Sequence, residues 1–178
     1  RRRAIGHAYV YKKAPDSLAL KNVVQRLGTR PLVITTVYNS AWITKWQLKL
    51  GELNIHGVDR LIADNSSDPA EAHAIEALCR DANVAYLRLP FNRFSLGRPK
   101  DASLSHSSAL NRVWRNIVDH VHPPLVALVD QDLIPLRPVD FGSKVADQPF
   151  YGVKLVGSRD GWTIWTGCAA FSGLFIER

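Results

Sequence analysis

From residue 32 onward, short apolar runs alternate with stretches of helical spacing, which predicts an α/β domain: a mostly parallel sheet flanked by helices and joined by right-handed crossovers. Two further observations support a single domain of this class. The 178 residues are enough to bury one substantial core, and 46% hydrophobic with 22% charged residues is an ordinary composition for a globular protein. No internal repeat, low-complexity segment or second domain interrupts the alternation.

Residues 15–28 form the first candidate helix. Asp16 or Ser17 can cap it, Leu20, Val23, Val24 and Leu27 share one side, and Gly28 can end it. Leu32–Val37 is a compact β-branched run, expected as a buried strand. Trp42–Leu53 has helical spacing at Trp42, Trp46, Leu50 and Leu53. Arg60–Ala63 is a short second strand, Pro69–Arg80 a helix with Ile75, Leu78 and Cys79 facing inward, and Val84–Leu89 a third strand. A loop rich in Arg, Gly and Pro spans Pro90–Lys100. Ser103–Val118 then reads as a helix that buries Leu110, Val113, Trp114 and Ile117. Pro124–Val129 is the fourth strand, apolar until it meets Asp130, and Phe150–Val156 and Trp162–Phe171 are expected as strands.

The net charge of +7 is unevenly placed. Residues 1–31 hold eight basic side chains against one acid, Asp16, whereas residues 32–178 hold fifteen of each sign. The sequence thus divides into a basic N-terminal segment with a short helix (1–31) and a neutral body (32–178). Neutrality of the body argues against a nucleic-acid-binding face. The basic segment suits peripheral contact with an anionic membrane surface, or a solvated arm. No apolar run is long enough to cross a bilayer and no signal-peptide pattern opens the chain. Only Cys79 and Cys168 are present, so no disulfide framework is indicated. These features lead to the expectation of a cytoplasmic protein, peripheral on the inner face of the membrane.

In open α/β sheets, ligands bind beyond the carboxyl ends of the strands. Here those ends are Thr36-Val37-Tyr38-Asn39, Asp64-Asn65-Ser66-Ser67-Asp68 and Asp130-Gln131-Asp132. The second has an alternative reading as a plain turn and helix cap. The third is harder to explain structurally, because two carboxylates one residue apart repel unless a cation or hydrogen bonds compensate. Mg²⁺ or Mn²⁺ bound with a diphosphate would satisfy them, since these ions take one or two carboxylates plus phosphate oxygens.

Taken in order, Leu32–Asn39, Arg60–Asp68, Ser105–Asn111, Leu128–Asp132 and Thr166–Phe171 resemble the family-2-type glycosyltransferases of GT-A fold, over about residues 32–175. The resemblance implies a nucleotide-diphosphate sugar donor, a UDP-sugar by preference, with Mn²⁺ or Mg²⁺ as cofactor. The acceptor would be a saccharide or lipid-linked glycan. Thr36, Tyr38 and Asp64 would line the base and ribose pocket, with Asp64 accepting a hydrogen bond from the base. Asp130 would contact ribose or the metal shell, Asp132 would bind the metal, and His106 would reach the donor. The helix beginning near Ser103 would aim its N-terminus at the phosphates, with Arg98 and Lys100 just before it. Inverting members of the family carry an acidic general base well beyond the Thr166–Phe171 strand. That base is therefore expected past Arg178, in a C-terminal part missing from this sequence.

Other residues read as structural or remain open. His120 and His122 mark a helix end rather than a metal pair, and Trp162 and Trp165 suit either an acceptor-sugar platform or a half-buried strand. The competing functions are another nucleotide-using α/β enzyme, such as a nucleotidyltransferase, and a non-catalytic binding module. Val37–Trp42 lacks the glycine-rich loop that nucleotidyltransferases and nicotinamide enzymes place after the first strand.

Overall fold

The computed structural model describes residues 9–10, 18–90, 102–156 and 162–173. A six-stranded mixed sheet in the order β3-β2-β1-β4-β6-β5 carries helices on both faces. The strands are β1 (Leu32–Val37), β2 (Asp59–Asp64), β3 (Ala85–Arg88), β4 (Leu125–Asp130), β5 (Phe150–Val156) and β6 (Trp162–Ser172). The first four are mutually parallel, whereas β6 runs antiparallel to β4 and pairs in turn with β5. Every residue of β1 is buried, as its unbroken apolar and β-branched run requires of a central strand covered on both sides.

Side chains alternate across the sheet with a period of two, and this parity sorts the core into two layers. Leu32, Ile34, Leu61, Ala63, Val126 and Leu128 pack on one face against α1 (Leu18–Arg26) and α4 (Ala102–Val113). On the other face Val37 and Ile62 pack against α2 (Ala41–Asn54) and α3 (Pro69–Asp81), and Val33, Ala127 and Val129 against α5 (Phe141–Lys144). Helix α3 starts where the sequence places it, with Asp68 accepting from the Ala70 amide and Pro69 at the first position.

Three helices differ from the sequence reading. Helix α2 has the expected extent, but its apolar stripe faces solvent: Trp42, Trp46 and Leu53 are exposed, and Thr44, Gln47, Leu48 and Gly51 are buried. Helix α4 does not stay regular to its end. It passes through a π-helical turn, Trp114–Val118, into a last turn, Asp119–Val121, closed by His122 at φ 49. Leu110 and Trp114 are partly buried and pack against the core, while Ala109, Val113, Ile117 and Val118 form the fully buried inner side. Helix α5 had no periodic apolar signal to reveal it and rests on one buried residue, Phe141, with Asp140 capping through the Ser143 amide.

The described part of the basic segment is attached to the body. Val23 and Leu27 enter the core, the Gly28 amide donates to Asp59 Oδ2 at 2.7 Å, and Arg30 pairs with Asp59. Tyr9 lies against the guanidinium of buried Arg112, which donates to its carbonyl, and the Tyr9 hydroxyl donates to the Pro90 carbonyl at 3.2 Å. Burial pushes the Tyr9 phenol up to about 12. Among the described residues no helix is long and apolar enough to cross a membrane.

Candidate functional site at the carboxyl edge of the sheet

Parallel pairing brings the carboxyl ends of β1, β2 and β4 to one edge, with Thr36 beside Asp130 and Val37 beside Asp64. Hydrogen bonds then lace the three ends together. The Tyr38 amide donates to Gln131 Oε1 at 2.8 Å, joining β1 to the middle residue of Asp130-Gln131-Asp132. Asn39 adopts φ 44, a left-handed conformation that asparagine tolerates better than most residues, and joins β1 to β2. Its amide donates to Ser66 Oγ at 2.8 Å and its side-chain nitrogen to Ser67 Oγ at 2.9 Å. Its Oδ1 accepts from the amides of Ser67 and Asp68. The Tyr38 hydroxyl lies 2.9 Å from Ser67 Oγ. Beneath this, Gln47 of α2 donates to the carbonyls of Asp130 and Leu133.

The second turn of α4 crosses the same edge. Ser105 Oγ accepts from Asn65 Nδ2 at 2.8 Å, and His106 Nε2 lies 3.3 Å from Asp130 Oδ1. His106 Nε2 has no hydrogen-bonding partner of adequate alignment, so its contact with Asp130 is one of proximity. The other side-chain atom of this kind among the described residues is Asn65 Oδ1, a buried acceptor without a donor. Buried polar atoms are nearly always paired, so an orphan beside an open edge is a natural place for a ligand donor.

The candidate carboxylates differ sharply. Asp64 is completely buried: Oδ1 accepts from the Ser66 amide and Oδ2 from the Tyr86 hydroxyl, both at 2.8 Å, and Arg88 Nη1 lies 3.3 Å from Oδ2. The sequence reading has Asp64 accept a hydrogen bond from a base; in this structure each of its oxygens accepts from a protein donor. Asp130 is a quarter exposed. Burial pushes its carboxyl above the usual carboxylate range; the His106 imidazole draws it down and the Asp132 charge raises it further. Asp132 is exposed beside it, and Thr36 is buried on the same face of β1 that carries Asp130.

Gly167 forms the floor opposite. A Cβ there would lie 2.3 Å from the Trp165 ring and 2.5 Å from Asp130 Oδ2, so only glycine lets the indole and the carboxylate approach. Trp165 therefore stands next to Asp130, partly exposed. Arg98, Lys100 and the Trp162 side chain lie outside the described residues. Sequence reasoning included Asn39, Gln131, Asn65, Ser105 and Gly167 in its strand ends and motifs but gave them no role. Asn and Gly at strand-end turns were the available signal, but only the register shows which of them meet.

Among the described residues no three His, Cys, Asp or Glu side chains gather into a metal cage. A cavity of about 370 Å³ lies at the opposite edge of the sheet, by Pro31, His56 and Asp140, away from the paired carboxylates. The strand ends, following the rule for parallel sheets, are the better candidate site.

Neither a protein-family profile nor a curated relative matches the sequence. The fold is similar to that of a mannosyltransferase from Pyrobaculum calidifontis, solved in complex with GDP-Man and Mn²⁺. The TM-score is 0.56 at 14% identity over 96% of this chain. The match takes in 53% of the mannosyltransferase chain, so the present sequence spans about half its length.

Proposed function

We propose that this chain binds a nucleotide-diphosphate sugar at the carboxyl edge of β1, β2 and β4, as the donor-binding part of a glycosyltransferase. One observation carries the reading: a hydrogen-bonded frame running Ser66–Asn39–Tyr38–Gln131 sets Asp130 and Asp132 at an open edge under the first turns of α4. Similarity of fold to a mannosyltransferase that binds GDP-Man and Mn²⁺ supports it, as does the order of motifs in the sequence.

Within this reading, Tyr38 and Asn65 line the base and ribose pocket, Asn65 Oδ1 accepting from a ligand N–H or hydroxyl. Thr36 packs behind them. Asp64 acts through the turn: by fixing the Ser66 amide, Tyr86 and Arg88 it holds Asn65 in place. The amide end of α4, where the helix dipole is positive, favours the diphosphate, and His106 approaches the same region. Asp130 and Asp132 form a donor set suited to Mn²⁺ or Mg²⁺, an ion that takes its remaining ligands from phosphate and water. When bound, such an ion neutralises the diphosphate leaving group. The adjacent Trp165 offers a flat apolar surface to a sugar ring. The donor base, UDP by the sequence reading and GDP in the structural neighbour, and the acceptor, a saccharide or lipid-linked glycan, are parts of the proposal that experiment must assign.

Thermal unfolding with a panel of UDP- and GDP-sugars, with and without Mn²⁺, tests it. Specific binding at 100 times the dissociation constant stabilises by about 2.7 kcal/mol, enough for a clear rise in melting temperature. The proposal requires a rise that needs both nucleotide sugar and metal. No rise with any donor, or an equal rise with inorganic pyrophosphate, would overturn it.

A further inference from the structure

Helix α2 is inverted relative to ordinary amphipathic packing. Its inner face buries one core residue, Leu48, and is otherwise polar or small: Thr44 Oγ1 donates to the Ser40 carbonyl, Gln47 to the Asp130 and Leu133 carbonyls, and Gly51 makes room for the Arg60 guanidinium. Arg60 reaches up from β2 and donates to the carbonyls of Gln47 and Leu48 at 2.9 and 3.2 Å. These bonds fix the roll of the helix, so it cannot turn its apolar side inward without stranding them. The outer face carries Trp42 (69% exposed), Trp46 (46%) and Leu53 (60%), with Lys49 among them. At 100° per residue these four fall within an arc of about 60° and along roughly 16 Å of helix axis.

The loop after β4 is tied to the last turn of α2. Asn54 Nδ2 donates to the Pro135 carbonyl at 2.8 Å and its own carbonyl accepts from Val139, which holds the intervening loop against the last turn of α2. Leu136, in that loop, is 79% exposed. Singly exposed apolar residues are unremarkable, but a fixed row of two tryptophans and a leucine on one side of α2 marks a covered face.

The charges on the row choose the cover. Lys49 Nζ sits 5.3 Å from the Trp46 ring centroid, along the edge of the stripe between Trp46 and Leu53, and exposed Lys45 flanks it. Lysine is depleted in the cores of protein–protein interfaces, where its ammonium loses water without recompense. At a bilayer surface the same pairing is favourable: indoles sit at headgroup depth while lysine stems lie along apolar surface and ammoniums meet lipid phosphates. The one acid of α2, Glu52, stands about 80° from Trp42 on the flank. We infer that the Trp42–Leu53 face of α2 docks on an anionic lipid bilayer. This site is separate from the basic N-terminal segment, which the sequence singled out for that role.

The test is co-sedimentation of the 178-residue protein with phosphatidylcholine vesicles, alone or mixed with phosphatidylglycerol, at low and high salt, followed by tryptophan emission. Binding to the anionic vesicles with a blue shift is expected, weakened by salt. Lys45→Gln and Lys49→Gln should each lower the partition coefficient about fivefold. Trp42→Ala with Trp46→Ala should lower it roughly tenfold or more and remove the shift. Because these side chains are largely exposed, melting curves of the variants should match the parent, which separates lost docking from lost fold. Absence of binding would overturn the inference. So would binding that survives all four substitutions but disappears on deleting Arg1–Lys13. Sedimentation showing that Trp42 and Trp46 instead drive self-association would assign the face to a second copy and likewise overturn it.

Discussion

Asp64 and Asp130 occupy equivalent places, each the last residue of a buried parallel strand at the same edge of the sheet, yet their surroundings are opposite. Register explains the difference. Val37 pairs with Asp64 while Thr36 pairs with Asp130, so the two carboxylates leave the sheet on opposite faces. Asp64 turns toward α3, where Tyr86, Arg88 and the Ser66 amide seal it. Asp130 turns toward α4, where it meets one histidine, a glycine floor and solvent. A strand-end carboxylate is therefore not a site residue by position alone. Its neighbours on the face to which parity assigns it decide whether it holds structure or remains open to a ligand.

The contrast is sharpest in stability. Asp64→Ala leaves the Tyr86 hydroxyl and the Ser66 amide without their carboxylate acceptor and removes the charge partner of Arg88, and should cost about 2–4 kcal/mol in denaturant unfolding. Asp130→Ala should cost under about 1 kcal/mol, since it strands no buried donor. Equal costs would erase the distinction between the two.

Gly167→Ala probes the open side from the opposite strand. Its methyl would displace the Trp165 ring or the Asp130 carboxylate, and overpacking of this kind costs about 1–3 kcal/mol. Donor affinity should fall along with stability. Full affinity in this variant would mean that the Asp130 position is not part of the donor site.

The two thiols offer a smaller and gentler comparison. Burial pushes Cys79 up to about 12, with Asp64 adding to it, and the thiol is fully enclosed. Burial also raises Cys168, with a contribution from Asp130, but that side chain is partly exposed. A raised pKa lowers the thiolate fraction at any given pH, so both react more slowly than a free thiol and faster as pH rises. Cys79 should be modified only through global opening, whereas Cys168 should react in the native state. Mass spectrometry after alkylation distinguishes them, and modification of Cys79 at the rate of Cys168 would show that the α3 face is not sealed.

Much of this was legible in the sequence because the buried strands are unbroken apolar runs. Leu32–Val37 and Leu125–Val129 announce themselves, and a carboxylate pair directly after the latter stands out. The outward stripe on α2 was misleading for a physical reason: helical spacing reports a face but not which way it points. Here Arg60, Gln47 and Gly51 reserve the inner side for polar contacts. The sealing of Asp64 depends on Tyr86 and Arg88, two residues apart on one side of β3, which bear on it only once β2 and β3 are paired in register. The Tyr38–Gln131 bond joins residues 93 positions apart, and no local pattern encodes it.

The central claim, that Asp130-Gln131-Asp132 serves a nucleotide-sugar donor, is tested most directly by calorimetric titration of GDP-mannose and of a UDP-sugar in Mn²⁺, on the parent protein and on Asp132→Ala. The account predicts metal-dependent binding of at least one donor by the parent, weakened roughly 100-fold or more in Asp132→Ala, as befits loss of a direct metal ligand, with an unchanged melting temperature. Donor binding of equal strength in both proteins would contradict it.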